Sequence, residues 1–297
     1  MASSSPAAGD FGGVRPPRAV FIGAGKAGCS VARYFAEGDV IELAGFCSRT
    51  ATSARAACAL AGGRVFPAPV AAAQQADVIF ITTPDAAIAT VWRELADAAR
   101  MGALDLAGKT IAHCSGATPS SVFAGAADLG TRALSIHPLY AMSSRARSWQ
   151  ELGRCWFTLE GDPQACDAWS AALEGLGNRT AHIETAQKTR YHAAAAMASN
   201  LVVGLYDLAA EELARCGLSR ADAEAAMAPL FLGNAEHIAR DGVAASLTGP
   251  ASRGDIATID RHLKALGSDD DGSDAAAIYR ALTKRLLALS GHGDVPL

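Results

Sequence analysis

The chain has no long basic run, no C-x-x-C pair and no uninterrupted apolar stretch near the roughly 20 residues that a membrane span requires. Each absence removes a class of protein. With a formal net charge of −4 and no basic patch in the sequence, non-specific nucleic-acid binding is not expected. Without the apolar stretch, no membrane association is expected. The seven cysteines (Cys29, Cys47, Cys58, Cys114, Cys155, Cys166 and Cys216) are odd in number and widely spaced. That pattern suits neither a disulfide framework nor a structural zinc site, so no metal is expected. Free thiols in a cytoplasmic protein are the expectation. The opening "MASSSPAAGDFGGVRPPR" lacks the basic-then-apolar order of a secretory signal. Residues 1–17 read as a flexible tail, with a transit peptide as the alternative.

What is present is ample for a packed core: 297 residues, 50% hydrophobic and 19% charged, a length that suggests two domains. Across residues 18–184, short apolar runs ("RAVFIGAG", "VIELAGFCS", "DVIFITTP", "KTIAHCSG", "RALSIHPL", "CWFTLEGD") alternate with helical patterns such as "ATSARAACALAG" and "DAAIATVWRELADAAR". Continuous apolar strands separated by helices imply a parallel sheet covered on both faces. From about Thr185 the pattern becomes helical to the end. One run could form a single helix of about 30 residues, apolar on most of its circumference and wanting burial on nearly all sides. Further helices are predicted around 219–240, 254–266 and 274–290, with "GSDDDGSD" at 267–274 as a solvated loop. The expected fold class is α/β: a doubly wound Rossmann-type, mostly parallel sheet at 18–184, then an all-α domain at 185–297 for substrate and dimerisation.

"AVFIGAGKAG" places Gly23, Gly25 and Gly28 in G-x-G-x-x-G spacing, between an apolar strand and a helix. In that context the motif predicts a dinucleotide site. Gly23 permits the tight turn, Gly25 has no Cβ to obstruct a pyrophosphate, and Gly28 lets the helix approach the strand. With Ala24, Lys26 and Ala27 they form the loop whose free N–H groups face the phosphates. Some 20 residues on, an NAD site usually carries Asp or Glu for the ribose 2′-OH. This chain has Ser48-Arg49, a hydroxyl and a guanidinium that suit a 2′-phosphate, so NADP(H) is predicted over NAD. Thr83-Pro84 and Ser115 end two later strands, where ligands of open α/β sheets bind, or else simply turn the chain there.

Three further segments carry a resemblance: "HPLYAM" (137–142), "KTRYHAAAAMASN" (188–200) and "LTGPASRGDIATIDRHL" (247–263). Together with the glycine loop, the chain resembles NADP-dependent oxidoreductases that join a Rossmann domain to a 6-phosphogluconate-dehydrogenase-like helical domain. Ketopantoate reductase, pyrroline-5-carboxylate reductase and prephenate dehydrogenase belong to that wider group. The likeness covers about 18–290 and is strongest to an uncharacterised branch with a C-terminal domain of unknown function. It implies that Lys188 matches a lysine at the reacting oxygen. His192 stands where relatives often have Asn, and His137-Pro138 matches a His-Pro pair at the prephenate dehydrogenase active site. The nearly all-apolar helix at 190–210 has more surface to bury than one chain of this length can cover, so a homodimer packed through the helical domains is expected, as in the relatives.

Helical geometry lets Lys188 and His192 cooperate, since they differ by about 40° around the axis and about 6 Å along it. Asn200 lies too far along for one compact substrate and is left for another part of the ligand, a second subunit or helix packing. Lys188 can stabilise or protonate a developing oxyanion or amine, and His192 or His137 are the other acid/base candidates. In "SLTGPASRGD", Asp255 is a candidate helix cap, and Thr248 and Arg253 are candidate substrate residues, Arg253 for a carboxylate. Structural roles for each remain open: a snorkelling lysine, core histidines, a capped turn. The leading functional expectation is a reductase, or dehydrogenase in reverse, of a small acidic carbonyl, hydroxyacid or imine compound. An oxidative decarboxylating dehydrogenase and a non-catalytic cofactor-binding sensor are the alternatives.

Overall fold

A computed structural model of the protein describes residues 15–267 and 274–294. Most of the expected tail and of the loop at 267–274 lies outside them. Arg15 is described; it forms an ion pair with Glu42, and the Pro17 carbonyl accepts from the Glu42 N–H at 3.0 Å. The chain divides into two compact units, Met1–Ser199 and Asn200–Leu297. The boundary thus falls 15 residues beyond the expected 184/185, because the first helix after the sheet belongs to the first unit.

The first unit is a sheet of eight strands with helices on both faces. In chain order these elements are β1 (Arg18–Ile22), α1 (Lys26–Glu37), β2 (Glu42–Cys47), α2 (Ala51–Ala61), β3 (Arg64–Phe66), α3 (Pro69–Ala73), β4 (Val78–Ile81), α4 (Asp85–Arg100) and β5 (Thr110–His113). Then follow β6 (Arg132–Pro138), β7 (Trp156–Gly161), α5 (Pro163–Gly175), β8 (Arg179–His182) and α6 (Lys188–Met197). The strand order is β3-β2-β1-β4-β5-β6-β7-β8. All neighbours pair in parallel except β6 and β7. The order reverses between β1 and β4, and such a reversal opens a crevice at the carboxyl ends of the strands.

The apolar runs form these strands because both faces are covered. Every residue of β4 is buried, and each face has its own core. On the α1/α5 face the Phe21 and Phe80 rings stack at 4.6 Å, with Phe35, Phe157 and Trp169 around them. On the other face Trp92 meets Phe123 edge-on at 5.6 Å. Burying each such ring contributes roughly 1.5–3 kcal/mol. Helix starts are marked by side-chain caps: Thr50 accepts from Ser53 N–H at α2, and Asp162 from Ala165 N–H at α5.

The second unit holds α7 (Asn200–Arg215), α8 (Arg220–Asp241), α9 (Gly249–Arg253), α10 (Ile256–Leu266) and α11 (Ala275–Leu289). Asp255 caps α10 by accepting from the Thr258 N–H, as expected from the sequence. Ala251, Ile259 and Leu287 make a small core for α9–α11. An apolar groove of about 630 Å³ lies between α7 and α8, lined by Leu205, Tyr206, Met227, Leu230 and Phe231 among others.

One expectation about the helical run needs correction. It is not one continuous helix: α6 and α7 are separated by a turn at Ala198–Ser199. Ser199 Oγ donates to the Ala195 carbonyl at 2.7 Å, a back-bond of the kind that bends helices. A single chain leaves much of the run uncovered. Leu201, Val203 and Leu205 are exposed, and α7 buries only Ala210. By length and composition alone, Thr185–Arg215 would suffice to cross a bilayer, although it contains no unbroken apolar stretch of that length. Its first turn, however, is anchored in the sheet through a buried lysine, described next.

Candidate active site

The glycine loop is shaped by its neighbours in the sheet. Gly23 has φ +123°, and a Cβ there would stand 2.4 Å from the Thr82 carbonyl carbon. At Gly28 a Cβ would stand 2.4 Å from Thr82 Oγ1 and 2.5 Å from the Gly23 carbonyl oxygen. Thr82 Oγ1 donates to that same oxygen at 2.9 Å, locking β4 to the loop. Gly23 and Gly28 are therefore required by packing. Gly25 is not: a Cβ there meets nothing within 4 Å. Open space in front of Gly25, together with the absence of any acidic residue or side-chain cap at the start of α1, leaves the helix N-terminus available to an anion. Ala24 is buried in the loop and Lys26 is exposed on the first turn of the helix.

The remaining predicted cofactor residues stand at strand ends around this loop. Ser48 and Arg49 follow β2 directly, and Arg49 is exposed just before the Thr50 cap. Thr83 Oγ1 is buried and has no hydrogen-bond partner. Pro84 caps α4, so that Asp85 opens the helix. Ser115 closes the turn after β5: its hydroxyl donates to Asp85 Oδ2 at 2.8 Å and accepts from the Ala117 and Thr118 N–H groups.

Lys188, His137 and His192 come together. Lys188 is 1% exposed, and its ammonium donates to Ser135 Oγ in β6. The lysine expected to reach a substrate is thus closed off inside the first unit. Burial pulls its pKa down to about 8, while Glu160, Cys114 and Asp85 oppose the shift. The Glu160 carboxylate, 2% exposed, accepts from Ser120 N–H and Oγ at 2.7 Å each and from Thr185 Oγ1 at 2.6 Å. It therefore both balances the lysine charge and fixes the turn that leads into α6. A capping box between Glu184 and Gln187 holds that turn from the other side.

Two imidazoles lie nearer the surface. Burial pulls His137 down to about 3, with Lys188, His192 and His113 adding to the shift. Its Nδ1 bonds the Tyr191 hydroxyl at 2.7 Å. Burial raises the Tyr191 phenol, against a hydrogen bond with Thr158 that lowers it. The Tyr191 hydroxyl can donate to Nδ1, which leaves the His137 hydrogen at Nε2, or accept from an Nδ1–H. The His137 and His192 rings are 6.4 Å apart. A Cβ on Gly116 would stand 2.5 Å from His192 Nδ1 and 2.8 Å from His137 Nε2, so glycine is what lets both rings face this turn. His192 Nδ1 is buried without a partner. Behind them, His113 is fully buried, held to about 4 by burial and the Lys188 charge, and takes the Ser115 N–H on Nδ1 at 3.2 Å.

Tyr191, Ser135, Glu160, His113 and Asp85 were not singled out from the sequence. Asn200, Thr248 and Arg253 belong to the second unit: Asn200 opens α7, Thr248 precedes α9 and Arg253 ends it, with Thr248 and Arg253 exposed. Among the described residues no group of three or more His, Cys, Asp or Glu side chains is arranged to hold a metal.

Residues 4–138 match the Rossmann-like domain family, and residues 155–286 match a domain of unknown function, DUF2520. No curated protein matches the chain. Solved structures share its fold. A Thermotoga maritima protein is 24% identical, with TM-score 0.71, over 92% of this chain and 98% of its own. A candidate NADP oxidoreductase of Bacteroides fragilis is 22% identical, with TM-score 0.69, over 92% and 99%. An imine reductase from Myxococcus stipitatus in complex with NADP+ is 18% identical, with TM-score 0.60, over 93% and 96%. The chain thus has a Rossmann-like N-terminal domain followed by a helical C-terminal region.

Proposed function

We propose that the protein is an NADP(H)-dependent oxidoreductase acting on a small acidic carbonyl, hydroxyacid or imine compound. One observation carries the reading. An open glycine loop and a buried Lys188–His137–Tyr191 cluster share the carboxyl edge of one sheet. The space before Gly25 and the orphaned Thr83 hydroxyl fit a dinucleotide. The match to NADP-linked folds supports the choice of cofactor.

In this reading the loop Gly23–Gly28 receives the pyrophosphate, Ser48 and Arg49 the 2′-phosphate, and Thr83, Pro84 and Ser115 the nicotinamide half. Bound NADP(H) supplies or accepts the hydride. The chain's own residues manage the proton. His137 Nε2–H releases a proton to the developing oxyanion or amine as the Tyr191 O–H passes one to Nδ1. The imidazole gains one proton and loses one, so imidazolium need not accumulate, and the Tyr191 phenolate left behind regains its proton from solvent before the next turnover. Lys188 acts from behind, since its charge disfavours imidazolium and offsets negative charge on the phenol. His192 stays the second candidate donor beside Gly116. A sensor would need none of this machinery.

The test has two stages. NADPH and NADH are titrated by fluorescence against wild type and Arg49→Ala; NADPH should bind more tightly, and the preference should shrink in the variant. A carbonyl, imine and hydroxyacid panel is then run with wild type and Tyr191→Phe. Turnover should fall about 100-fold in the variant, with cofactor affinity unchanged. No binding of either coenzyme, or Tyr191→Phe turnover within a few-fold of wild type, would refute the reading.

The exposed apolar side chains of α7 and α8 support a second part of the proposal. Leu201, Val203, Leu230 and Leu232 are each more than half exposed, and α8 buries only Ala223. Two copies packed through these helices would remove that surface from water.

A further inference from the structure

Between β6 and β7 the chain forms a turn that packs on α1. Ser144 is fixed at every polar atom. Its N–H donates to Ser148 Oγ at 3.0 Å, and its Oγ accepts from the Ala146 N–H at 3.3 Å. Its carbonyl accepts from the Ser148 N–H at 3.2 Å and from Ser30 Oγ, in the second turn of α1, at 3.4 Å. Further along, Arg33 of α1 lies over the Trp149 ring at 4.2 Å. The backbone at 144–149 is thus a rigid brace against the helix that the glycine loop opens.

The brace carries Arg145. This side chain is only half-exposed, yet it makes no hydrogen bond or ion pair with any described residue. Its charge is felt inside α1: Arg145 lowers the Cys29 thiol pKa against burial, ahead of Arg33, which is on the same helix one turn away. The bond from Ser30 Oγ to the Ser144 carbonyl seats Arg145 one residue from a contact with the second turn of α1, and among the described residues no anion pairs with its guanidinium. Fixing a long side chain's backbone around no partner gives no stability by itself. The arrangement makes sense when an anion arrives from outside.

We propose that Arg145 binds the pyrophosphate of the dinucleotide, closing over the phosphates from the side opposite Arg49. This rests on the cofactor reading above. The side follows from packing: α1 is flanked by α2, which Arg49 precedes, and on another side by the 144–154 segment. Arg145 thus approaches from away from β2, where the 2′-phosphate is assigned. It deepens the site by adding a phosphate ligand that no glycine-loop motif signals.

The experiment is equilibrium titration of NADPH and NADH by tryptophan quenching, with wild type, Arg145→Gln and Arg145→Lys, each checked for an unchanged thermal midpoint. Arg145→Gln should weaken both coenzymes by the same factor, about tenfold, and Arg145→Lys should recover part of the loss. The dependence of affinity on salt should also become shallower in Arg145→Gln. Unchanged affinity for both coenzymes would overturn the proposal. So would a loss confined to NADPH, which would put Arg145 at the 2′-phosphate. If the wild type bound neither coenzyme, the cofactor reading would fail instead, and the two failures are distinct. If Arg145→Gln lowers the thermal midpoint, Arg145→Lys carries the decision: affinity for both coenzymes weakened by one common factor supports the proposal, and affinity unchanged for both overturns it.

Discussion

Replacing Lys188 with methionine isolates the buried charge at the centre of the site. Methionine keeps an unbranched side chain one atom shorter and removes the ammonium. In the folded protein burial holds the lysine pKa at about 8, against 10.5 for the free side chain. The sign follows from proton counting. Below pH 8 the amine is protonated in both folded and unfolded chains, so stability has no slope from this group, but the folded state bears the cost of a buried charge. Between 8 and 10.5 the unfolded chain holds a proton that the folded chain has released, so stability rises with pH. Relative to pH 7, the gain is about 1.4 kcal/mol by pH 9 and about 2.5 kcal/mol by pH 10. His137 and His113, which the Lys188 charge also lowers, are held down chiefly by burial and stay neutral over this pH range in both proteins, so the lysine's own titration dominates the difference. The quantity to measure is therefore the difference in urea-unfolding free energy, wild type minus Lys188→Met, at pH 7, 8, 9 and 10. The difference should climb in favour of wild type by about that amount. A flat difference would mean that the amine is not held as a desolvated ammonium, and the electrostatic role given to Lys188 would go with it.

Three more outcomes are expected. Gly25→Ala should fold with unchanged stability, because the new methyl meets nothing in the chain, yet it should weaken NADPH binding in a fluorescence titration. Gly116→Ala should displace His137 or His192, lowering turnover while leaving coenzyme affinity near wild type, and should cost about 1–3 kcal/mol in chemical denaturation. In light scattering at micromolar concentration the protein should have the mass of a dimer, and Leu230→Asp should shift it toward the monomer.

The glycine loop was legible because its chemistry is local. Gly23, Gly25 and Gly28 fall within six consecutive residues, and the residue types state the backbone's needs. Helix α4, read as 85–100 from its pattern, is found at those bounds for the same reason. The lysine network was not legible, because it depends on pairing across strands. Ser135 faces Glu160, and His137 faces Thr158, through the antiparallel β6–β7 register, and no spacing within either strand reveals that. One signal was available. In "RALSIHPL" and "WFTLEG" the polar residues Ser135, His137, Thr158 and Glu160 alternate with Leu134, Ile136, Phe157 and Leu159. Strands buried on both faces rarely interleave polar groups without a purpose for that face. The break at Ala198–Ser199 was hidden for another reason. No glycine or proline marks it, and it is accompanied by a serine hydroxyl turning back on its own helix.

That alternation makes the site depend on the alignment of two strands to a single residue. Leu134, Ile136, Phe157 and Leu159 point into the aromatic core, and their intervening neighbours turn the other way. Sliding β7 by one position would thrust the Glu160 carboxylate in among phenyl rings and strand the lysine without a counter-charge. Misalignment here would be rejected on grounds of solvation alone. The charges that serve chemistry therefore also proofread how the sheet is assembled.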